Sequence, residues 1–387
     1  MSEAAPVVPY NKNNPFLAAI TENRPLSKLG SAKDTRHFVI NLAGSGLRYQ
    51  PGYSLGVFPQ NPPALVEQLI ARLGLDADAG LAQPDGRTKP LRRVLREDVT
   101  LNRVNKKFVR AVAERLPAGR QKEQLLTISG NDEALGDYIY PRDCLDVLDE
   151  FPGASFTAAE LTASLSRVNP RLYSIASSQA KHPDEAHLTV AVIRYHARGR
   201  DKKGLCSGFL ADDAPLRVNA LPVFLTPNKH FKLPDADTTS VIMVGPGTGI
   251  APFRAFLEER ETRGATGRNW LLFGDQHRAT DFLYEEEFEA WRRRGLLTRL
   301  DTAFSRDQAH KIYVQDRLRE HGAELWRWLQ DGAYFYVCGD AKRMAKDVHQ
   351  ALLDIARQHG GLAPAAANEY VSQTLMKDER RYARDVY

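Results

Sequence analysis

Between His37 and Phe58, short apolar stretches alternate with polar residues and are punctuated by Gly and Pro. Such alternation predicts half-buried strands, HFVINL and YSLGVF. The texture changes after Pro63. Over Ala64–Leu73 and Asn105–Leu116 the apolar positions recur at helical spacing, and residues 61–165 read as a mostly helical insertion. Strand texture returns with RLYSIASS, HLTVAVIRY and VNALPVFL. Segments 26–60 and 166–233 are therefore expected to form one β-domain interrupted by helices. Residues 1–25 hold several Pro and Asn without periodicity and read as an extended arm.

A third rhythm begins near Thr238. The apolar run SVIMV leads through a Gly-rich turn into PFRAFLEER. NWLLFG, LLTRLDTAF and AYFYVCGD each precede another helical pattern. Strands alternating with helices predict a doubly wound parallel α/β sheet over 234–387.

The length of 387 residues fits two or three such domains. An apolar fraction of 43% and a charged fraction of 26% are ordinary for globular chains. Cys144, Cys206 and Cys338 are far apart, which argues against a disulfide framework, a zinc site or an iron–sulfur cluster. No metal is expected. No apolar run reaches membrane-spanning length and the N-terminus lacks a signal-peptide core, so residence in the cytoplasm is the default expectation. A net charge of +5 is too mild to imply nucleic acid.

Five segments carry candidate chemistry. Gly245-Pro246-Gly247-Thr248-Gly249 lies between a strand and a helix, where backbone N–H groups can cradle a pyrophosphate. Ile250 stands where the usual NAD fingerprint has its third glycine, so a structural turn explains the segment equally well. Ser305-Arg306 with Lys311 and Tyr313 follows a later strand. Arg and Lys there suit the 2′-phosphate of NADP, and equally a solvated basic loop. In Arg171-Leu172-Tyr173-Ser174, an Arg, an aromatic and a hydroxyl could face a flavin, or simply line a strand. Gly204-Leu205-Cys206-Ser207 opens a short helical start, GFLADD, and suits a pyrophosphate or a plain N-cap. Cys338 ends a strand, as a core thiol or beside a cofactor.

In this order, RLYSIASSQA, GPGTGIAPFRAF, WLLFGDQH, FSRDQ, KIYVQD, YVCGDAKRMAKDV and the terminal RRYARDVY resemble the ferredoxin-NADP reductase superfamily. Within it they resemble the diflavin reductase branch, and most closely the flavoprotein (alpha) subunits of NADPH-sulfite reductase. The resemblance runs from about Asn14 to the last residue. It implies an FAD-binding antiparallel β-barrel with a helical connecting insertion, then an NADP-binding α/β domain.

Further implications follow residue by residue. Arg171, Tyr173, Ser174, Thr189, Val190, Ala191 and Tyr195 would bind FAD, and Gly204, Leu205, Cys206 and Ser207 its pyrophosphate. Gly247 and Thr248 would touch the NADPH pyrophosphate. Ser305, Arg306, Lys311, Tyr313 and Gln315 would bind the 2′-phosphate end, with Asp347 nearby. Ser174, Cys338 and Asp385 resemble the catalytic trio at the hydride-transfer site. Tyr387 resembles the aromatic that stacks on FAD and moves aside for nicotinamide.

The resemblance implies electron transfer from NADPH through FAD to an FMN protein or FMN domain, in assimilatory sulfite reduction with a hemoprotein subunit. A general NADPH-flavodoxin or cytochrome reductase and a non-catalytic FAD-binding docking scaffold are the rival readings. The flavodoxin-like FMN domain that opens such subunits has no counterpart here, as in a natural short form or an excised fragment, and a monomer is expected without it. Finally, Arg103, Lys106, Lys107 and Arg110 are expected on one helical face, either solvated or docking an acidic FMN domain.

Overall fold

The computed structural model describes residues 10–83 and 86–387. The chain packs as two compact units: Val57–Arg171 with Val192–Ala214, and Met1–Gly56 with Leu172–Ala191 and Pro215–Tyr387.

The first unit is the helical insertion. Its helices are α1 (Pro63–Leu73), α2 (Leu91–Glu97), α3 (Lys106–Arg115), α4 (Arg120–Gly130), α5 (Asp132–Ile139), α6 (Cys144–Glu150) and α7 (Ala158–Ser164). Their apolar faces share one core that includes Leu69, Leu95, Phe108, Val112, Leu148 and Leu161. Side chains set where the helices start. Asn105 accepts a hydrogen bond from the Phe108 N–H at 2.8 Å, and Asp143 and Thr157 each form a capping box. Because Asn105 is the cap, Arg103 lies before α3 and not on its face. Lys106 pairs with Asp132 at 2.7 Å and Arg92 with Glu67 at 2.7 Å. The expected basic face is therefore shorter, and partly neutralised. A hairpin of Arg194–Ala197 with Arg200–Lys203 sends Arg200 to Asp143 at 2.6 Å, and Lys202 to Asp143 at 2.9 Å.

The second unit holds two sheets. Strands β1 (Phe16–Pro25), β2 (Asp34–Asn41), β3 (Ser54–Val57), β4 (Arg171–Ser174), β5 (Glu185–Val192) and β6 (Leu221–Thr226) pair in the order β4-β3-β6-β1-β2-β5. Strand β1 pairs antiparallel with both β2 and β6. Ile175, just past β4, bridges Leu188 of β5, so the two ends of the order meet and the sheet closes into a barrel. The expected extended arm is thus corrected. Its last ten residues form β1, a central strand whose Ala18, Ala19 and Ile20 are buried.

The other sheet is parallel: β7 (Val241–Val244), β8 (Asn269–Asp275), β9 (Arg299–Phe304), β10 (Tyr334–Gly339) and β11 (Tyr382–Val386), in the order β9-β8-β7-β10-β11. Successive residues face opposite layers. Ile242, Val244, Trp270 and Leu272 enter one core, while Met243, Leu271 and Phe273 enter the other. Both faces are buried, as continuous apolar strands require. Helix α8 (Ala251–Arg263) lies after the Gly-rich turn. From α8, buried Arg254 bonds Glu287 at 2.7 Å, Glu258 at 3.1 Å and the Ala176 carbonyl at 2.7 Å. These partners compensate a guanidinium that would otherwise be costly to bury.

Candidate active site

Strands β10 and β11 run side by side, with Cys338 opposite Asp385. Ser174, at the end of β4, donates its hydroxyl to Asp385 Oδ2 at 2.8 Å. The structure thus brings Ser174, Cys338 and Asp385 together from three strands far apart in sequence. Cys338 is fully buried. Burial pushes its thiol well above the usual range and the Asp385 carboxylate raises it further, against a hydrogen bond from Ser174. Burial also raises Asp385 above an ordinary aspartate, opposed by Ser174. The group therefore resists negative charge.

Tyr387 follows directly. Its backbone N–H donates to the Gly339 carbonyl at 3.1 Å and its carbonyl accepts from Ala341 at 3.1 Å. These bonds hold Tyr387 as an extension of the sheet. Tyr387 is 57% exposed, and its hydroxyl lies 2.9 Å from Thr248 Oγ1.

Thr248 belongs to the Gly-rich turn after β7. Gly247 has φ +56°, which favours glycine. A Cβ on Gly249 would stand 2.1 Å from the Cys338 carbonyl, so only glycine lets the turn pack on the end of β10. The turn continues as a single 3-10 turn, Gly247–Ile250, directly into α8.

On the far side of the sheet, Ser305 and Arg306 donate their N–H groups to the carbonyls of Asp275 and Gln276, both at 2.9 Å. Arg306 and Lys311 are exposed. Among the described residues neither enters an ion pair. Tyr313 is 43% exposed and precedes α9 (Val314–Glu320), while Gln315 reaches Asp347 at 3.4 Å. Unpaired cations, an uncovered ring and a glycine turn where no Cβ fits form a donor set matched to a dinucleotide with a 2′-phosphate.

The FAD candidates are divided between the units. In the barrel unit, Tyr173 and Ser174 are half-buried. The side chains of Thr189 and Val190 are buried, and Thr189 Oγ1 is 2.7 Å from the Tyr284 hydroxyl. Ala191 beside them is exposed. In the helical unit, Arg171 and Tyr195 are exposed. Gly204 leads into the helical turn Leu205–Gly208. There the Ser207 hydroxyl accepts from the Ile193 N–H at 3.2 Å, and buried Cys206 directs its thiol to the Val57 carbonyl at 3.9 Å.

Comparison with known proteins decides the family. Residues 8–209 match the FAD binding domain, and residues 243–350 the oxidoreductase NAD-binding domain. The chain belongs to the FAD-binding domain family. It is also similar to the sulfite reductase [NADPH] flavoprotein alpha-component of Cronobacter sakazakii, 47% identical over 385 residues, covering 98% of this chain and 62% of the relative. That of Bacillus subtilis is 44% identical over 379 residues, and that of Yersinia pestis 47% over 382, again across 98% of this chain. The chain spans 61–62% of the length of these relatives. Among the described residues no helix is long and apolar enough to cross a membrane.

Sequence reasoning missed Lys33 and Asp275, which meet beside the Gly-rich turn. A charged residue ending the apolar run NWLLFGD was the available signal. Nothing in the sequence paired it with Lys33.

Proposed function

We infer that the chain oxidises NADPH, reduces bound FAD and passes the electrons to an FMN protein or FMN domain, in the reduction of sulfite to sulfide. The name of the relatives supports the sulfite reductase setting and, with it, a hemoprotein partner. The junction of Ser174, buried Cys338 and Asp385, beside an exposed Tyr387 and a Gly-rich turn, carries the redox reading.

FAD, when bound, supplies a two-electron acceptor that can release electrons singly. Arg171, Tyr173, Ser174, Thr189, Val190, Ala191 and Tyr195 are assigned to holding it, with Gly204, Leu205, Cys206 and Ser207 at its pyrophosphate. Gly247 and Thr248 are assigned to the NADPH pyrophosphate. Ser305, Arg306, Lys311, Tyr313, Gln315 and Asp347 take the phosphorylated adenosine. At the junction, burial raises both Asp385 and the Cys338 thiol and keeps the thiol uncharged beside the place where a hydride would arrive. Ser174 Oγ holds a proton that can turn from Asp385 towards a ring nitrogen, and orientation supplies much of the remaining advantage. Tyr387 covers the site until nicotinamide displaces its ring.

Anaerobic mixing with NADPH tests the reading. The yellow FAD-loaded protein should bleach, then recolour on addition of an oxidised FMN protein. A flavin that stays oxidised under NADPH would leave the docking-scaffold reading. Bleaching without transfer to the FMN protein would redirect the search to another acceptor.

A further inference from the structure

The strand end between the Gly-rich turn and Ser305 carries an acid, where an anionic nucleotide would meet it. Asp275 closes β8. Its Oδ2 is 3.8 Å from where a Cβ on Gly247 would stand, and its backbone carbonyl accepts from Ser305 N at 2.9 Å and Ser305 Oγ at 3.3 Å. The Asp275 side chain is 1% exposed. In dinucleotide folds, an acid after the strand that follows the glycine turn binds the ribose 2′-hydroxyl and favours NAD. A bare carboxylate there would repel a 2′-phosphate.

The carboxylate is not bare. Lys33 Nζ pairs with Asp275 Oδ1, which also accepts from the Gln276 N–H at 2.7 Å. Burial raises Asp275, while Lys33 and the Gln276 amide lower it and Asp281 raises it again. Lys33 arrives on the loop between β1 and β2, which is fastened just ahead of it. The Lys28 N–H donates to the Thr280 carbonyl at 2.8 Å, the Lys28 ammonium meets Glu285 at 3.3 Å, and Ser31 bonds Asp281. Ser27 Oγ donates to the Lys33 carbonyl at 2.9 Å. The lysine is therefore pre-positioned, and its side chain is still 34% exposed.

We propose that Lys33 is a specificity-determining residue: by masking Asp275 it makes this strand end acceptable to a nucleotide bearing a 2′-phosphate. This rests on the NADPH reading above. Lys33 acts through Asp275, so it is a positioning residue and not a catalytic one.

Calorimetric titration of the FAD-loaded full chain with NADP⁺, NAD⁺ and 2′,5′-ADP tests it. Lys33→Met should weaken NADP⁺ and 2′,5′-ADP by about tenfold or more, since one uncompensated charge acts at short range in a partly desolvated cleft. NAD⁺ should weaken by much less. Adding Asp275→Asn to Lys33→Met should restore most of the loss, a non-additivity that independent sites do not show. The double variant is neutral at both positions, so it keeps the test alive should Lys33→Met alone fold poorly. Equal losses for NADP⁺ and NAD⁺, or no recovery in the double variant, would overturn the proposal. Arg306→Ala serves as the separate control. If it weakens 2′,5′-ADP while the Lys33 variants do not, only the role of Lys33 falls. If it changes nothing, the NADP reading itself falls.

Discussion

The two ends of the parallel sheet's functional edge are built on opposite principles. At the junction of Ser174, Cys338 and Asp385, the thiol is buried, the other two groups are half-buried and bonded to each other, and burial raises both Cys338 and Asp385. At Ser305–Lys311, the cations are exposed and without ion pairs among the described residues. The difference follows from what each must do. A reacting centre benefits from fixed groups in a water-poor place, where small displacements are costly. A recognition loop needs charges that meet a partner carrying the opposite sign, and pairing them internally would cancel that. A buried frame supports the reacting end: Tyr284, in a left-handed conformation, joins Thr189 at 2.7 Å and His37 at 2.9 Å.

That contrast can be broken first with acid. Burial depresses His37 to about 2 and His187 to about 3, with Arg254 second in each case. The unfolded chain binds protons at these positions below about pH 6.5, and the folded chain does not until far lower. Their stabilisation is therefore full above pH 6.5 and lost as pH falls towards 3. For the two together the slope approaches about 2.7 kcal/mol per pH unit. Denaturant midpoints measured from pH 7 to 4.5 should fall steeply, and His37→Gln should flatten the curve. A slope that does not change with His37→Gln would show that other groups govern the acid response.

The next largest effect belongs to Asp385. Asp385→Ala should slow flavin reduction at saturating NADPH by roughly a hundredfold, the scale of losing one positioned polar group at a reacting centre. Cys338→Ala should slow it less, and both should retain FAD. Stopped-flow absorbance reads the rate. Wild-type rates in both variants would return Cys338 to the role of a core thiol.

Arg306→Ala acts at the other end. Its charge-assisted bond should be worth about 1.5–3 kcal/mol, or tenfold and upwards in NADPH affinity. NADH should be nearly unaffected. Comparable losses with both nucleotides would remove the 2′-phosphate assignment and, with it, half of the contrast.

The smallest effect sharpens the link between the ends. The Tyr387–Thr248 hydrogen bond should contribute about 0.5–1.5 kcal/mol to keeping the ring in place. Tyr387→Phe should therefore increase fluorescence of the bound flavin only modestly, and deletion of Tyr387 should improve NADH use relative to NADPH. An unchanged NADH to NADPH ratio in the deletion variant is the result that counts against a gating terminus.

Much of this molecule was legible in residues read one after another. The helical spacing of Ala64–Leu73 became α1, and the alternation in HFVINL became most of β2. The continuous apolar runs after Thr238 became a parallel sheet buried on both faces. Periodicity reports which face of an element meets the core, and that is a local property. Ordered motifs likewise pointed to Ser174, Cys338 and Asp385, and to Arg306. The sequence was weak where a segment's fate depends on a distant partner. The last ten residues of the stretch read as an arm became the central strand β1, because β2 and β6 flank it, while residues 1–9 lie outside the described residues. Arg103 fell off its expected helical face because Asn105 caps α3 through a hydrogen bond to Phe108.

Local pattern by itself determined the elements, their order and the types of residue available for chemistry. Only tertiary structure decided the pairings: Cys338 opposite Asp385, Tyr387 against Thr248, and Lys33 on Asp275. The physical reason is that charge compensation and hydrogen bonding act over a few ångströms in space, whatever the separation along the chain. A lysine on an early loop and an aspartate ending a late strand carry no local mark of one another.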